Sequence, residues 1–242
     1  MRLYFKPFLG LTIFTVIGLS ILISLGTWQY HRLQWKTQLL ADVETAIHAA
    51  PFTAISQIGT ALDENAPIDF RRVEVTLLRR ADDPVFYVYA PIKQALFWRP
   101  YEVARTQRGG RIFAAFDPID DAAKSDGVVA QSGPFQIAGY VRLARAKTRG
   151  QAKSTPKANR WFGFNPMAGS ENDWNVLSGG GVETRYYIDV VPKVTQASAL
   201  PVKRPNIRNN HFDYMLTWYS LALVLLIFYV LLHRRQNRLG LR

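Results

Sequence analysis

Two apolar segments decide the architecture of this chain: FLGLTIFTVIGLSILISLGT, from Phe8 to Thr27, and YMLTWYSLALVLLIFYVLL, from Tyr214 to Leu232. Neither contains a charged residue. Each is about 20 residues long, and a helix of that length crosses a hydrocarbon core about 30 Å thick. The stretch between them, roughly 180 residues, has the size of one folded domain. The sequence therefore predicts a membrane hairpin that carries a single domain.

This pattern divides the chain into five parts. They are a cytoplasmic tail (1–7), a first transmembrane helix (8–27), an extracytoplasmic domain (28–211), a second transmembrane helix (212–232) and a basic cytoplasmic tail (233–242). The last tail holds four arginines and no acid, and the first holds Arg2 and Lys6. Because Lys and Arg on short flanks stay inside, both termini are predicted to be cytoplasmic. Arg32 and Lys36 oppose this orientation, but large domains translocate largely regardless of charge.

A cleaved signal peptide is the alternative interpretation of the first segment. That segment is longer than an ordinary signal-peptide core, and no A-x-A-like site precedes Trp28. The short tail ahead of it is not an Arg- and Ser-rich transit peptide, which favours a bacterial inner membrane with the domain in the periplasm.

Composition limits the chemistry. The chain has no cysteine, so disulfides, thiolate metal sites and cysteine nucleophiles are ruled out. Much of the net charge of +12 flanks the membrane segments, which favours attraction to anionic lipids over nucleic-acid binding.

The sequence of the central domain predicts mainly β-structure. Alternating apolar residues at Val73, Val75 and Leu77 predict a strand, and VFYVYAPI from Val85 to Ile92 predicts another. A hairpin is predicted around residues 108–110, and further strands are predicted at 135–143 and 182–191. An amphipathic helix is predicted at 33–49, before the strands, and a linker to the second apolar segment is predicted at 192–208. Short strands with polar turns predict a mainly antiparallel small barrel or sandwich.

Residues 144–160 carry six cationic side chains and no acid. Such a run is typical of a solvated mobile loop, and the alternative is a docking strip for lipid headgroups or an acidic partner.

Motifs for covalent chemistry are missing. The glycine run at 178–181 lacks the Walker lysine, and no H-E-x-x-H or G-x-S-x-G motif occurs. We therefore expect no enzymatic activity.

Two motifs lie where the apolar segments meet the domain. The first is GTWQYHRLQWK at 26–36, and the second is NNHFDYMLTWYSLA at 209–222. Together they resemble the surfeit locus protein 1 family, as does the strand opening FRRV at 70–73. One departure is RIFAAFDPI at 111–119, where the family usually has an Asn-Arg-Gly-Trp-like signature.

The resemblance implies an assembly factor for haem–copper cytochrome c oxidase. Such proteins are thought to handle haem a on its way into the catalytic subunit, so that subunit and the haem a synthesis enzymes are the implied partners. The histidine of the second motif is the family's proposed iron ligand, and His211 matches it. His31 falls at a variable position of the first motif.

The residues around His211 suit this role physically. His211, Tyr214 and Trp218 share one helix face with Met215, and a neutral imidazole is a good ligand for haem iron. The alternative is that the aromatic residues only anchor the helix at the membrane interface.

Trp28, Gln29 and Arg32 of the first motif are further candidates. They would orient the outer helix ends or neutralise haem propionates by charge-assisted hydrogen bonds. For Trp28, a place in the interfacial aromatic belt is the simpler interpretation.

Three functions follow from these observations. The first is a haem-binding assembly factor. The second is a scaffold that stabilises an oxidase intermediate without binding haem. The third, an exported enzyme held by two anchors, has no catalytic constellation to support it.

Overall fold

The computed structural model describes residues 3–92, 95–124, 132–144, 152–164, 174–205 and 208–241. The helices are α1 Leu9–His48, α2 Ile55–Asp63, α3 Trp174–Leu177 and α4 His211–Arg235. The strands are β1 Leu3–Phe5, β2 Arg72–Arg79, β3 Val85–Ile92, β4 Ala95–Arg105, β5 Arg111–Ala115, β6 Ile119–Asp120, β7 Gly133–Leu143, β8 Arg160–Trp161, β9 Val182–Val190 and β10 Leu239–Leu241. The chain forms two compact units, one from 1–41 with 206–242 and the other from 42–205.

Two long helices make up most of the first unit. α1 and α4 are both long and apolar enough to cross a membrane. α1 runs unbroken for 40 residues, so the predicted first span and the predicted amphipathic helix are parts of one helix. Large apolar side chains on both helices are exposed, for example Phe14 (75%) and Phe228 (67%). Exposed apolar surface on this scale is typical of helices that face lipid.

The helix pair is closed by polar contacts at the end where α1 begins. The backbone N–H of Phe8 donates to Nε2 of His233 at 3.3 Å, and Nδ1 of His233 lies 2.8 Å from the carbonyl of Tyr229. The Tyr229 hydroxyl is also 2.7 Å from Oγ1 of Thr12. Strands β1 and β10 pair antiparallel at the same end. His233 is fully buried, and it satisfies one of the N–H groups that a helix start leaves open.

The second unit is built on one mixed sheet. Its strand order is β2-β7-β9-β5-β4-β3-β8, and β6 pairs with β4. Most pairs are antiparallel, but β5 with β9 and β3 with β8 are parallel. β2 meets β4 only at Leu78 and Arg105, so the sheet does not close. The prediction of a mainly antiparallel small barrel or sandwich is therefore corrected in part: most strand pairs are antiparallel, but the sheet is mixed and is not a closed barrel.

Several predicted strands are confirmed. β3 spans the stretch predicted for it, and β4 and β5 form the predicted hairpin. β7 and β9 cover the strands predicted at 135–143 and 182–191. The polar and acidic stretch 117–132 is typical of a loop by its composition, but Ile119 and Asp120 within it form the short strand β6, and residues 125–131 lie outside the described residues. Of the basic segment at 144–160, residues 145–151 lie outside the described residues, and β8 begins at its end.

The sheet has apolar clusters on both faces. One cluster joins α2 to residues of β2, β5, β7 and β9, including Ile58, Leu77 and Ile188. The other is aromatic: Phe86 stacks on Trp174 at 4.5 Å between ring centroids, and Trp161 lies edge-on to Trp174 at 5.4 Å. Burying large aromatic rings contributes much of the stability of a domain of this size.

A buried carboxylate ties the strands to the chain that follows them. Asp189 of β9 is 5% exposed and pairs with Arg99 of β4 and, at 3.3 Å, with Lys203. Arg142 of β7 approaches Asp189 at 4.0 Å and binds Asp69 at 2.9 Å. Because removing one partner of a buried ion pair leaves an uncompensated charge, this cluster fixes β4, β7 and β9 together.

Gly139 of β7 provides a direct test of this packing. A Cβ there would lie 2.3 Å from the backbone oxygen of Asp189, which cannot move without breaking the sheet. We expect Gly139→Ala to lower the free energy of unfolding of the domain by about 3 kcal/mol. Pulse proteolysis of the detergent-solubilised protein in urea measures this change.

Gly59 of α2 is the matched control. A Cβ there meets nothing within 4 Å, and alanine favours a helix over glycine. Gly59→Ala should raise the free energy of unfolding by about 0.5–1 kcal/mol. Equal effects of the two substitutions would contradict the proposed packing.

Candidate functional site

The candidate site lies at the start of α4. His211 is the first residue of this helix, and its Nδ1 is 2.7 Å from Oε1 of Gln29 on α1. Gln29 is only 8% exposed. Because an amide oxygen accepts hydrogen bonds, Nδ1 of His211 carries the proton and donates it to Gln29. The neutral imidazole then keeps its lone pair on Nε2, the atom that could bind a metal ion.

The other three histidines are placed differently. His233 uses both ring nitrogens in hydrogen bonds, and His48 lies 3.0 Å from Glu44. His31 is exposed on α1 beside Tyr30. His211 is therefore the histidine whose tautomer is fixed by a buried side chain while one nitrogen remains available.

Of the predicted aromatic residues, the structure brings Trp28 against the His211 ring. The Trp28 ring packs edge-on to the His211 ring, with 6.5 Å between their centroids. Trp28 is nevertheless 57% exposed and Tyr214 is 54% exposed, whereas Trp218 is half-buried. The structure thus brings Trp28, Gln29 and His211 together, while Tyr214 offers an open aromatic face.

Positive charge concentrates near this site. Arg32 and Lys36 of α1 are both close enough to act electrostatically on His211. The Arg32 guanidinium lies over the ring of Trp35 at 4.0 Å, and Lys36 donates to the backbone carbonyl of Arg208. The first N–H groups of α4 add to this positive potential, since the start of a helix carries partial positive charge. The arrangement favours an anionic group near His211.

One buried acceptor two residues before His211 lacks a donor. Oδ1 of Asn209 is buried without a hydrogen-bond partner in the described part of the chain. A buried polar atom without a partner is costly, so an incoming donor would be stabilised there. Among the described residues, no group of three or more His, Asp or Glu side chains could hold a metal ion.

Sequence reasoning missed the contact that holds the helices close at this end. The ring of Tyr219 packs on Gly26, and its hydroxyl lies 3.1 Å from Oγ1 of Thr27. Gly26 and Thr27 belong to the first motif quoted above, and Tyr219 belongs to the second. The usable signal was Gly26 itself, since a glycine in a membrane helix often marks close helix packing.

Comparison with known proteins decides the family. The sequence model of the SURF1 family matches residues 16–223, a range that includes both motifs. The chain belongs to the SURF1 family. This confirms the resemblance drawn from the motifs.

Relatives of this SURF1-family chain match along most of its length. It is 27% identical over 239 residues to the SURF1-like protein of Monosiga brevicollis, covering 90% of this chain and 86% of that protein. It is 24% identical over 237 residues to the SURF1-like protein of Rickettsia conorii, with coverages of 90% and 89%. Identity to the human Surfeit locus protein 1 is 21% over 227 residues, with coverages of 82% and 69%.

Gly26 tests whether close packing of α1 on α4 supports the site. A Cβ at Gly26 would lie 2.8 Å from the Tyr219 ring, so Gly26→Ala should displace this ring, break its contact with Thr27 and loosen the packing of α1 on α4. We expect the Gln29–His211 hydrogen bond to weaken as a result. Nitrogen NMR of ¹⁵N-histidine-labelled protein reports the change, since it distinguishes protonated Nδ1 from bare Nε2.

Gly10 supplies the control for this substitution. A Cβ at Gly10 of α1 meets nothing within 4 Å, so Gly10→Ala should leave the His211 resonances unchanged. Unchanged His211 resonances in Gly26→Ala would argue against a supporting role for this packing.

Proposed function

We propose that this protein is a membrane-held assembly factor for cytochrome c oxidase that binds haem a through Nε2 of His211. Membership of the SURF1 family, which is generally linked to assembly of this oxidase, supports the general role. The Gln29–His211 hydrogen bond of 2.7 Å is the observation that carries the haem assignment.

The hydrogen bond matters because it prepares the imidazole as a ligand. Histidines that bind metals usually donate their other N–H to an oxygen, which fixes the ring orientation and raises the basicity of the ligating nitrogen. Gln29 does this for His211 from within the helix pair. Haem a, when bound, would supply the iron that accepts the Nε2 lone pair.

The surroundings of His211 fit the remaining parts of a haem. Arg32 and Lys36 would hold the propionates, which are carboxylates and form strong hydrogen bonds with cations. Trp28, Tyr214 and Trp218 would cover the apolar ring system, and the Asn209 oxygen would accept a hydrogen bond from a donor on the cargo. The residues present therefore suit a haem by their charge and by their donor set.

The two apolar helices and the charges that flank them support a location in the cell. We propose a bacterial inner membrane with the span 8–27 and the span 212–232, both termini cytoplasmic and the mixed-sheet unit periplasmic. The protein would receive haem a from its synthesis enzymes and deliver it to the catalytic subunit. No enzymatic step is required of this chain.

A structural scaffold is the second candidate function. The exposed rings of Trp28 and Tyr214 suit interfacial anchoring as well as haem contact. In that role the protein would stabilise an oxidase intermediate through its helices and its sheet without carrying haem.

The topology is tested by reporter fusions. Because the arginines after Leu232 favour the cytoplasm, a cytoplasmic reporter fused at Arg242 should be active. An export-dependent reporter inserted near residue 125 should be active as well. The reverse pattern would place His211 at the cytoplasmic membrane surface and would contradict the proposed haem route.

His211 is tested by spectroscopy of the full chain co-expressed with the haem a synthesis enzymes. His211→Ala removes the imidazole but little buried surface, so the protein should still accumulate in the membrane. Co-purified haem a should fall at least about tenfold, the expected loss for removing a metal ligand or its partner. His31→Ala is the control and should retain the wild-type spectrum.

Gln29 separates haem binding from the scaffold role. Gln29→Leu should reduce haem retention and shift the visible bands, whereas Gln29→Glu keeps an acceptor for Nδ1 and should retain haem. The scaffold function is supported instead if the purified wild-type protein carries no haem a while deletion of the protein still lowers oxidase maturation.

A further inference from the structure

One edge of β2 has a gap in its hydrogen bonding. The carbonyl of Arg72 accepts from the Phe52 N–H at 3.0 Å, and the Glu74 N–H donates to the Phe52 carbonyl at 2.8 Å. Further along the same edge, Leu78 pairs with Arg105. Main-chain groups of alternate strand residues point to the same edge, so Thr76 faces this edge between the two contacts.

Thr76 is therefore an open position in the sheet. Its side chain is exposed, and its backbone N–H and carbonyl have no partner on this edge among the described residues. An unpaired strand edge is a template for another extended chain.

A groove of about 840 Å³ lies along this gap. Its walls are the chain entering α2, at Thr53 to Ser56, and the β4–β5 hairpin from Thr106 to Gly110. Ile112, Val182 and Tyr186 add an apolar floor. Small-molecule sites have volumes of roughly 300–1,000 Å³, so this groove has room for a few side chains of a bound segment.

The charges that face this groove favour an anionic occupant. Arg108 lies exposed at the hairpin tip, and Arg111 lines the groove with its Nε buried and unpartnered. Asp83 lies 3.7 Å from Nη2 of Arg111, but Arg105 already binds the same carboxylate at 2.6 Å, so the two arginines exceed it in charge. Glu183 also lines the groove, but Arg185 binds its carboxylate at 2.9 Å and neutralises it. Arg111 holds the glycine turn beside the groove through the carbonyls of Ser178 and Gly180.

We propose that this groove binds a short extended acidic peptide segment of a partner protein, which adds to β2 as an extra strand at Thr76. The main-chain groups of Thr76 would pair with the peptide backbone, and Arg108 and Arg111 would attract its carboxylates. Strand addition gives affinity through main-chain hydrogen bonds, while alternate side chains enter the groove. The gap accommodates only about three residues, since a strand rises about 3.3 Å per residue.

The probe is a fluorescein-labelled hexapeptide of alternating Val and Glu, with a Val and Lys peptide as its charge control. Full-length protein in phosphatidylcholine nanodiscs is titrated by fluorescence anisotropy. We expect saturable binding of the Glu peptide, with a Kd at least about tenfold lower than that of the Lys peptide. A Glu peptide methylated at alternate backbone nitrogens should bind about tenfold more weakly, because it loses main-chain donors.

Matched variants locate the binding on the protein. Thr76→Pro removes the free N–H, whereas Thr76→Val keeps it in a β-branched residue, so the proline variant should weaken binding about tenfold relative to valine. Arg108→Glu should weaken binding similarly, and Arg80→Glu, at an exposed arginine outside the groove lining, should not.

Several outcomes would overturn the proposal. They are the absence of saturable binding below about 1 mM, equal binding of the Glu and Lys peptides, or equal affinities of the two Thr76 variants. If Thr76→Pro fails to fold, the methylated peptide still decides, because full affinity for it contradicts strand addition.

Discussion

The helix pair depends on one constraint: polar side chains buried where α1 and α4 meet must find partners within the protein. At one end His233 joins the start of α1 to α4, and at the other Gln29 joins α1 to His211. Both contacts lie at the edges of the predicted spans, and each involves a buried side chain, Gln29 or His233, whose polar atoms need a partner. Because each contact joins α1 to α4 at fixed residues, the two together hold the helices in one register. The proposed ligand therefore owes its orientation to the same interaction that aligns the helices.

The two histidines of α4 show how similar residues acquire different roles. His233 is buried, with one nitrogen accepting and the other facing a carbonyl, and nothing remains for a ligand. His211 has one nitrogen committed to Gln29, and it stands beside cations and exposed aromatic rings. Position at a helix start and the identity of one neighbouring side chain account for this difference.

Local sequence patterns predicted where the helices and strands lie, but they did not predict which strands pair when these are far apart in the sequence. The β-branched and aromatic run of β3 identified its strand, because that signal lies within eight residues. The parallel pairing of β5 with β9 leaves no such signal, since it joins segments about 70 residues apart, and local patterns therefore did not predict a mixed sheet. The two motifs identified Gln29 and His211 as candidates. Their hydrogen bond joins residues 182 positions apart in the sequence, so only the folded chain shows it.

The aromatic cluster around Trp174 also makes the two units optically distinct. Trp98, Trp161 and Trp174 are buried in the mixed-sheet unit, whereas Trp28 and Trp35 on α1 are about half exposed. Stacked and edge-on rings in a fixed chiral arrangement produce near-ultraviolet ellipticity that vanishes when specific packing is lost. Tryptophan emission from the buried set will lie at shorter wavelength than that from α1. The native chain thus carries its own optical label for each unit, and no dye or tag is needed to follow them separately.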